Sequence, residues 1–139
     1  MSRLRLALLA AGGAVAALTL TAAQHPSVFA QTSAGLWEVS GVPGTAAPLR
    51  QCLTDVTVLA QFEHRTRNCS RRVISDNGDA AVVDYSCGGS GFGHSTVDLI
   101  TPRSLRIDTQ GISDKLPFSY VMQARRLGDC PATAPAPRH

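Results

Sequence analysis

The sequence predicts a mostly β fold: a single antiparallel meander curled into a small barrel or half-barrel, with one short helix after Cys52 and two disulfides. Short segments of alternating apolar and polar residues follow one another along the second half of the chain, and Gly, Pro, Asn and Asp separate them. These connections are too short for the crossovers that parallel strands need. The chain has 139 residues, which is enough for one domain.

The chain begins with the layout of a secretory signal peptide. Two arginines lie within Met1–Arg5, and an uncharged run rich in Ala and Leu follows over Leu6–Leu20. Up to Ala23 the apolar stretch has borderline length for a bilayer core of about 30 Å and contains two glycines. We therefore expect a cleaved leader, a periplasmic or secreted protein and no stable membrane anchor.

Two sites with small residues could end the leader, one after Ala23 and one after Ala30. The second is preferred, because Val28 and Ala30 suit the peptidase pocket and Gln31 begins a polar segment. The predicted organisation is a signal peptide over 1–30, a disulfide-stapled β domain over 31–130 and a disordered Pro/Ala-rich tail over 131–139.

The charge of the expected mature chain argues against nucleic acid as a partner. The formal charge of the whole sequence is +3, but two of the 13 basic residues lie in the leader, so the remainder is nearly balanced by the ten acidic residues. A protein that binds nucleic acid through bulk basicity carries a larger excess. We expect a monomer without a nucleic-acid partner.

The four cysteines predict two structural disulfides. None lies in a C-x-x-C pair, which disfavours a zinc site or a thioredoxin-type redox site, and an exported protein meets an oxidising compartment. Asn77-Gly78 is a hairpin signal, and a turn centred on it brings Cys69 within one residue of the position opposite Cys87. One β-bulge would correct that offset. We therefore pair Cys69 with Cys87 and Cys52 with Cys130.

The strands are predicted from alternation between turn signals. They are expected at Ala34–Ser40, Ala47–Leu53, Ser70–Ser75, Ala80–Cys87, Phe92–Thr101, Ser104–Thr109 and Leu116–Arg126. A turn over Gln110–Asp114 is expected to separate the last two. In the first strand Trp37 and Val39 share one face and Leu36 lies on the other. In the last strand one face is largely apolar, with Leu116, Phe118, Tyr120 and Met122. The two apolar faces are expected to meet in the core.

A short helix is expected over Val56–His64. Thr54 or Asp55 could cap it, and Val56, Leu59, Ala60 and Glu63 would share its inner face. The β-branched residues at its start oppose this prediction.

The glycine-rich segment after Cys87 does not have the pattern of a phosphate loop. Gly88–His94 lacks the Walker spacing and its lysine, and strands are expected on both sides of it. It is better explained as a hairpin connection in which the backbone approaches a neighbouring strand closely.

A few residues offer chemistry by type alone. His94 and Ser95, with Asp84 or Asp98, are the residue types of a hydrolase triad, but Ser95 lacks a nucleophile elbow. The histidines follow no metal-binding spacing. We therefore assign no catalytic, cofactor or metal residue.

Arginine pairs form the candidate partner surface. Arg71 with Arg72 and Arg125 with Arg126 would hold an anionic envelope component if they lay on one face, since guanidinium groups bind phosphate and carboxylate bidentately. The alternative is ordinary surface pairing with the acidic residues.

A set of short motifs resembles one family. They are Gly35-x-Trp37-Glu38, Cys52-x-Thr54, the pair Cys69 and Cys87 with a glycine cluster after it, and Arg126-x-Gly128-x-Cys130. Together they resemble the small exported bacterial proteins described as domain of unknown function 3617. The resemblance implies a signal peptide and four cysteines, and it assigns no activity to particular residues.

The expected function is accordingly broad. We expect an exported, non-enzymatic binding or structural module that binds an envelope protein or a small apolar ligand, without a cofactor. The alternatives are a secreted inhibitor of a cell-wall-degrading enzyme, with Ser90–His94 as its inserted loop, and a minor hydrolase.

Overall fold

Seven antiparallel strands form one sheet in the computed structural model, which describes residues 24–132. The strands are β1 (Gly35–Ser40), β2 (Leu49–Leu53), β3 (Ser70–Asp76), β4 (Ala80–Ser86), β5 (Gly91–Thr101), β6 (Ser104–Ser113) and β7 (Leu116–Gly128). Their order in the sheet is β2-β1-β7-β6-β5-β4-β3. The predicted meander is confirmed, and β2 and β3 remain as free edges, so the sheet does not close into a barrel.

A helix after Cys52 spans Val56–His64, as predicted, but it is a 3₁₀ helix with a kink at Gln61. Asp55 caps it by accepting a hydrogen bond from the amide of Thr57 (2.9 Å). The kink changes the face that the last residues present to the sheet. Val56, Leu59 and Ala60 are buried as expected, whereas Gln61, Phe62 and His64 are buried in place of the predicted Glu63. Helix and sheet meet at β5 and β6.

The core lies between this helix and one face of the sheet. Its apolar side chains alternate along the strands with exposed residues, as half-buried strands require. Trp37, Phe62, Leu59, Leu105, Ile107 and Met122 are the largest of them. The predicted apolar face of β7 is right for Met122 and partly for Tyr120 and Phe118, but Leu116 is 70% exposed at the strand's start.

The β3–β4 hairpin turns one residue later than the sequence predicts. The amide of Asn77 donates to the carbonyl of Ala80 (3.1 Å), which makes Gly78 and Asp79 the central residues. Only Gly78 has positive φ (88°), as in a type II′ turn. The register then shifts once between Val73 and Ser75. The expected single bulge is therefore present.

The β6–β7 hairpin is longer than predicted. Residues 110–113 continue β6 up to Ser113, where a turn through Asp114 and Lys115 begins. Both turn residues have positive φ (48° and 70°), the combination that defines a type I′ turn. The segment 110–114 is therefore mostly strand and not the expected turn.

Both predicted disulfides are present. Cys69 pairs with Cys87 one position beyond Ser70 and Ser86, the last paired residues at the open end of the β3–β4 hairpin. Their Cα atoms are 4.2 Å apart. Cys52 on β2 pairs with Cys130 after β7, with a Cα separation of 5.6 Å. The second crosslink joins the start of the sheet to the end of the domain.

The packed domain begins before the predicted boundary at residue 31. Val28 is fully buried in the core and Phe29 packs against it. Phe29 begins a single 3₁₀ turn, Phe29–Gln31, which precedes β1. The expected signal peptide up to residue 23 and the tail from residue 133 lie outside the described residues. Within residues 24–132, no helix has the length and hydropathy to cross a bilayer.

Candidate functional site

The predicted hydrolase residues are not brought together. Ser95 and His94 are neighbours on β5, so their side chains point to opposite faces of the sheet. The hydroxyl of Ser95 is fully buried and lies 2.6 Å from the carbonyl oxygen of Ala60, to which it donates, and 2.8 Å from the hydroxyl of Thr109. Ser95 therefore ties β5 to the helix and to β6.

His94 lies on the outer face, beside one of its two candidate carboxylates. His94 and Asp84 are opposite each other in the β4–β5 register, and Nδ1 of His94 contacts the carboxylate of Asp84. The other candidate, Asp98, accepts a hydrogen bond from Arg106 (3.3 Å). The outer face thus carries the His94–Asp84 pair, and the candidate nucleophile Ser95 lies on the opposite face.

A row of four residues on the inner face explains Gly93, the last glycine of the cluster that follows Cys87, and Gly111. Tyr85, Gly93, Gly111 and Phe118 are consecutive cross-strand partners on β4, β5, β6 and β7. A Cβ atom on Gly93 would lie 2.4 Å from the Tyr85 ring, and one on Gly111 would lie 3.0 Å from the Phe118 ring. The missing side chains leave room for the two rings.

An open depression of about 640 Å³ lies at these glycines. It is lined by Asp84, Tyr85, Phe92, Gly93, His94, Gln110, Gly111, Ile112, Pro117 and Phe118. Phe92 is 55% exposed there, and its cross-strand partner is Ile112, whose own partner is Pro117. Phe92, Ile112 and Pro117 form one row on the outer face, and the neighbouring row on that face contains Asp84, His94 and Gln110. The depression therefore combines an apolar side with a hydrogen-bonding side.

Sequence reasoning missed this depression, although it recognised the glycines. The signal that could have found it is the pairing of Gly93 with Gly111 across β5 and β6. That register requires β6 to continue through Gly111, which the predicted turn at 110–114 excluded.

The segment Ser90–His94 does not form an inserted loop. Gly88–Ser90 is a single 3₁₀ turn, and β5 begins at Gly91. A Cβ atom on Gly91 would lie 1.9 Å from the carbonyl oxygen of Ile112, so only glycine fits at this crossing.

Comparison with known families identifies the chain. Residues 32–130 match the family described as protein of unknown function (DUF3617). The chain belongs to this family. No curated protein and no solved structure matches it. The DUF3617 match includes all four cysteines and every residue of the depression, and it begins just after the buried Val28.

A buried histidine supports the depression of this DUF3617 protein from the inner face. Nε2 of His64 donates to the carbonyl of Ser90 (3.0 Å), because a carbonyl can only accept, and the hydroxyl of Tyr85 donates to Nδ1 (3.3 Å). The His64 ring also meets the Tyr85 and Phe118 rings edge-on, with centroids 5.6 and 6.0 Å away. His64 thus holds the turn before β5 and both aromatic rings in place.

The two tyrosines of the DUF3617 core are held in their neutral form. Burial raises the pKa of Tyr85 to about 12. Burial also raises the pKa of Tyr120, and the nearby Glu63 carboxylate, which accepts a hydrogen bond from Tyr120 (3.1 Å), raises it further. Both phenols therefore remain hydrogen-bond donors.

The arginines expected to form a partner surface lie on strands β3 and β7, which β4, β5 and β6 separate in the sheet. Arg71 bonds to Gln61 and to Asp55 (2.9 Å), and Arg125 bonds to Glu38 (3.0 Å). Arg126 is only 13% exposed and donates to the carbonyl of Ala34 and to Asp129. Arg72 lies on the exposed strand β3, opposite Asp84 of β4. The side chains of Arg71, Arg125 and Arg126 are therefore already held by hydrogen bonds within the protein.

A polar depression of about 530 Å³ lies beside the 3₁₀ helix of the DUF3617 domain. Arg65, Arg67 and Arg71 border it, but Arg65 lies over the Phe62 ring and Arg71 is held by Asp55. Among residues 24–132 no group of three or more His, Cys, Asp and Glu side chains is arranged to hold a metal ion.

Proposed function

We propose that this DUF3617 protein is exported and serves as a non-enzymatic, monomeric binding module for a small apolar ligand, which it holds in the depression bordered by Phe92. The observation that carries the proposal is the apolar row Phe92–Ile112–Pro117 above two glycines, in which Phe92 is 55% exposed and Ile112 is half-buried. Ligand sites are concave and mostly apolar, with a few convergent polar groups, and their usual volumes include the one found here.

Export is supported by the leader pattern and by the disulfides. All four cysteines in the sequence are paired, and structural disulfides persist in oxidising compartments. A binding role is favoured over hydrolysis because the hydroxyl of Ser95 is consumed within the core. His94 and Gln110 would then orient a polar end of the ligand through hydrogen bonds.

The test uses N-phenyl-1-naphthylamine, a neutral apolar fluorophore, with the purified protein in its oxidised form. We expect saturable binding that weakens about tenfold in Phe92→Ser, the ratio that corresponds to about 1.4 kcal/mol. The matched control is Ile100→Ser, because Ile100 lies on the same strand, is 62% exposed and does not line the depression. Absence of saturable binding, or equal affinity for the wild type and Phe92→Ser, would contradict the proposed function.

A further inference from the structure

The residues before β1 are part of the folded domain, although the sequence suggests that they are removed. Val28 is 0% exposed and belongs to the same core cluster as Trp37 and Phe62. Phe29 is partly buried against that cluster. A chain that began at Gln31 would lack both side chains and leave their space in the core unfilled.

Hydrogen bonds hold the same segment to the β3–β4 hairpin. The amide of Val28 donates to both carboxylate oxygens of Asp76 (3.1 and 3.2 Å). The side-chain amide of Gln31 donates to the carbonyl of Gly78 at the hairpin turn (2.7 Å) and to the carbonyl of Pro26 (3.1 Å). Two residues of the segment, Val28 and Gln31, therefore form hydrogen bonds with one turn.

The contact with the hairpin extends almost to the first candidate cleavage site. A Cβ atom on Gly78 would lie 2.9 Å from the carbonyl oxygen of Pro26 and 3.2 Å from Cβ of His25. His25 is the second residue after Ala23. The packed segment thus reaches from His25 into β1, and a cut after Ala30 would fall inside its 3₁₀ turn, Phe29–Gln31.

We propose that the leader is cleaved between Ala23 and Gln24, and that Gln24–Ala34 of the mature protein serves as an N-terminal strap over the β3–β4 hairpin. Thr21 and Ala23 supply the small residues that a signal peptidase requires. Water adds across the Ala23–Gln24 peptide bond, leaving the new carboxylate on Ala23 of the leader and the new amino group on Gln24. This inference rests on the export that the proposed function includes.

The test is the intact mass of the full-length chain after expression in a bacterium that exports it. The expected mass is that of a chain beginning at Gln24, with or without cyclisation of the N-terminal glutamine. A chain beginning at Gln31 lacks seven further residues, so the two products differ clearly in mass. A product beginning at Gln31 would overturn the strap, and an uncleaved chain beginning at Met1 would overturn export itself.

Two matched variants locate the peptidase site independently. Ala23→Tyr places a bulky residue directly before the proposed cut and is expected to block or displace processing. Ala30→Tyr places the same residue before the other candidate cut, and Ala30 is exposed, so the fold tolerates it. We expect Ala30→Tyr to be processed at Gln24 like the wild type. Blocked processing in Ala30→Tyr with normal processing in Ala23→Tyr would overturn the proposal.

Discussion

The amide of Val28 donates to the carboxylate of Asp76, 48 residues further along the chain. Asp76 also accepts a hydrogen bond from the amide of Gly78 (2.9 Å), so one carboxylate stabilises both the hairpin turn and the segment that covers it. Charge-assisted hydrogen bonds of this kind are stronger than neutral ones. Folding of the β3–β4 hairpin and docking of the N-terminal strap are thereby linked.

Truncation of Val28 should weaken the domain measurably. In a chain beginning at Gln24, Val28→Ala is expected to lower the free energy of unfolding by about 1.5–3 kcal/mol, because a fully buried side chain is removed and a cavity remains. Urea denaturation with both disulfides intact measures this change. Ala30→Ser, at an exposed position two residues away, should leave stability unchanged. Equal stability of Val28→Ala and wild type would show that the strap does not contribute to the core.

The glycine beneath Tyr85 should not tolerate a methyl group. Gly93→Ala is expected to cost about 1–3 kcal/mol, because the new Cβ would lie 2.4 Å from the Tyr85 ring and the ring is buried beside His64. Gly89→Ala is the matched control, since no atom lies within 4 Å of its added Cβ. Thermal unfolding of the two variants makes the comparison, and a Gly93→Ala variant as stable as Gly89→Ala would contradict the packing of the row.

The two disulfides should differ in their contribution to stability. Cys52 and Cys130 are separated by 78 positions and Cys69 and Cys87 by 18. In the chain-entropy description, loops of these lengths contribute about 4.5 and about 3 kcal/mol. Replacing Cys52 and Cys130 by serine should therefore lower the denaturation midpoint more than replacing Cys69 and Cys87. The reverse order would mean that loop length does not govern their contributions.

The cap of the 3₁₀ helix should be sensitive to pH. Hydrogen bonds from Thr57 and the charge of Arg71 hold the pKa of Asp55 below its ordinary value of 3.8. A depressed pKa stabilises the folded state above the unfolded value and loses that effect as the pH falls through the folded value. Asp55→Ala should thus cost about 1 kcal/mol at neutral pH, and the difference should shrink below about pH 3.8.

Chemical denaturation of wild type and Asp55→Ala across this pH range measures the cap's contribution. Asp108→Ala removes an exposed carboxylate from β6 and serves as the control. A difference between wild type and Asp55→Ala that stays constant down to pH 2 would contradict the assignment of Asp55 as a charged cap.

Local sequence predicts most of the pairings between successive strands, because the strands are short, alternate in polarity and follow one another as hairpins. It also predicts the Cys69–Cys87 pairing, since the distances of the two cysteines from one turn signal differ by a single residue. The centre of that turn is less predictable. Gly78 can occupy either central position of a hairpin turn, and the choice depends on the strand twist and on Asp76, whose carboxylate bonds to the amide of Gly78.

The candidate site was predicted only in part. Alternation along β5 already places Ser95 and His94 on opposite faces, so the absence of a triad follows from the strand itself. The depression does not follow, because it depends on the register of four strands at once, and a misplaced turn after Thr109 removes Gly111 from the row. The burial of Phe62 and His64 likewise depends on the kink at Gln61, which no periodicity indicated.

The sequence by itself determined the class of fold, the hairpins from β3 to β7 and the Cys69–Cys87 pairing, since these depend on neighbouring segments; the Cys52–Cys130 pairing then followed by elimination. Only the tertiary structure shows that residues 24–34 pack against the domain. Val28 and Ala30 fit a cleavage pattern, yet the side chain of Val28 is buried in the core and its amide donates to Asp76. The burial of a residue depends on which distant segment packs against it. The sequence around Val28 does not indicate that the β3–β4 hairpin will pack there.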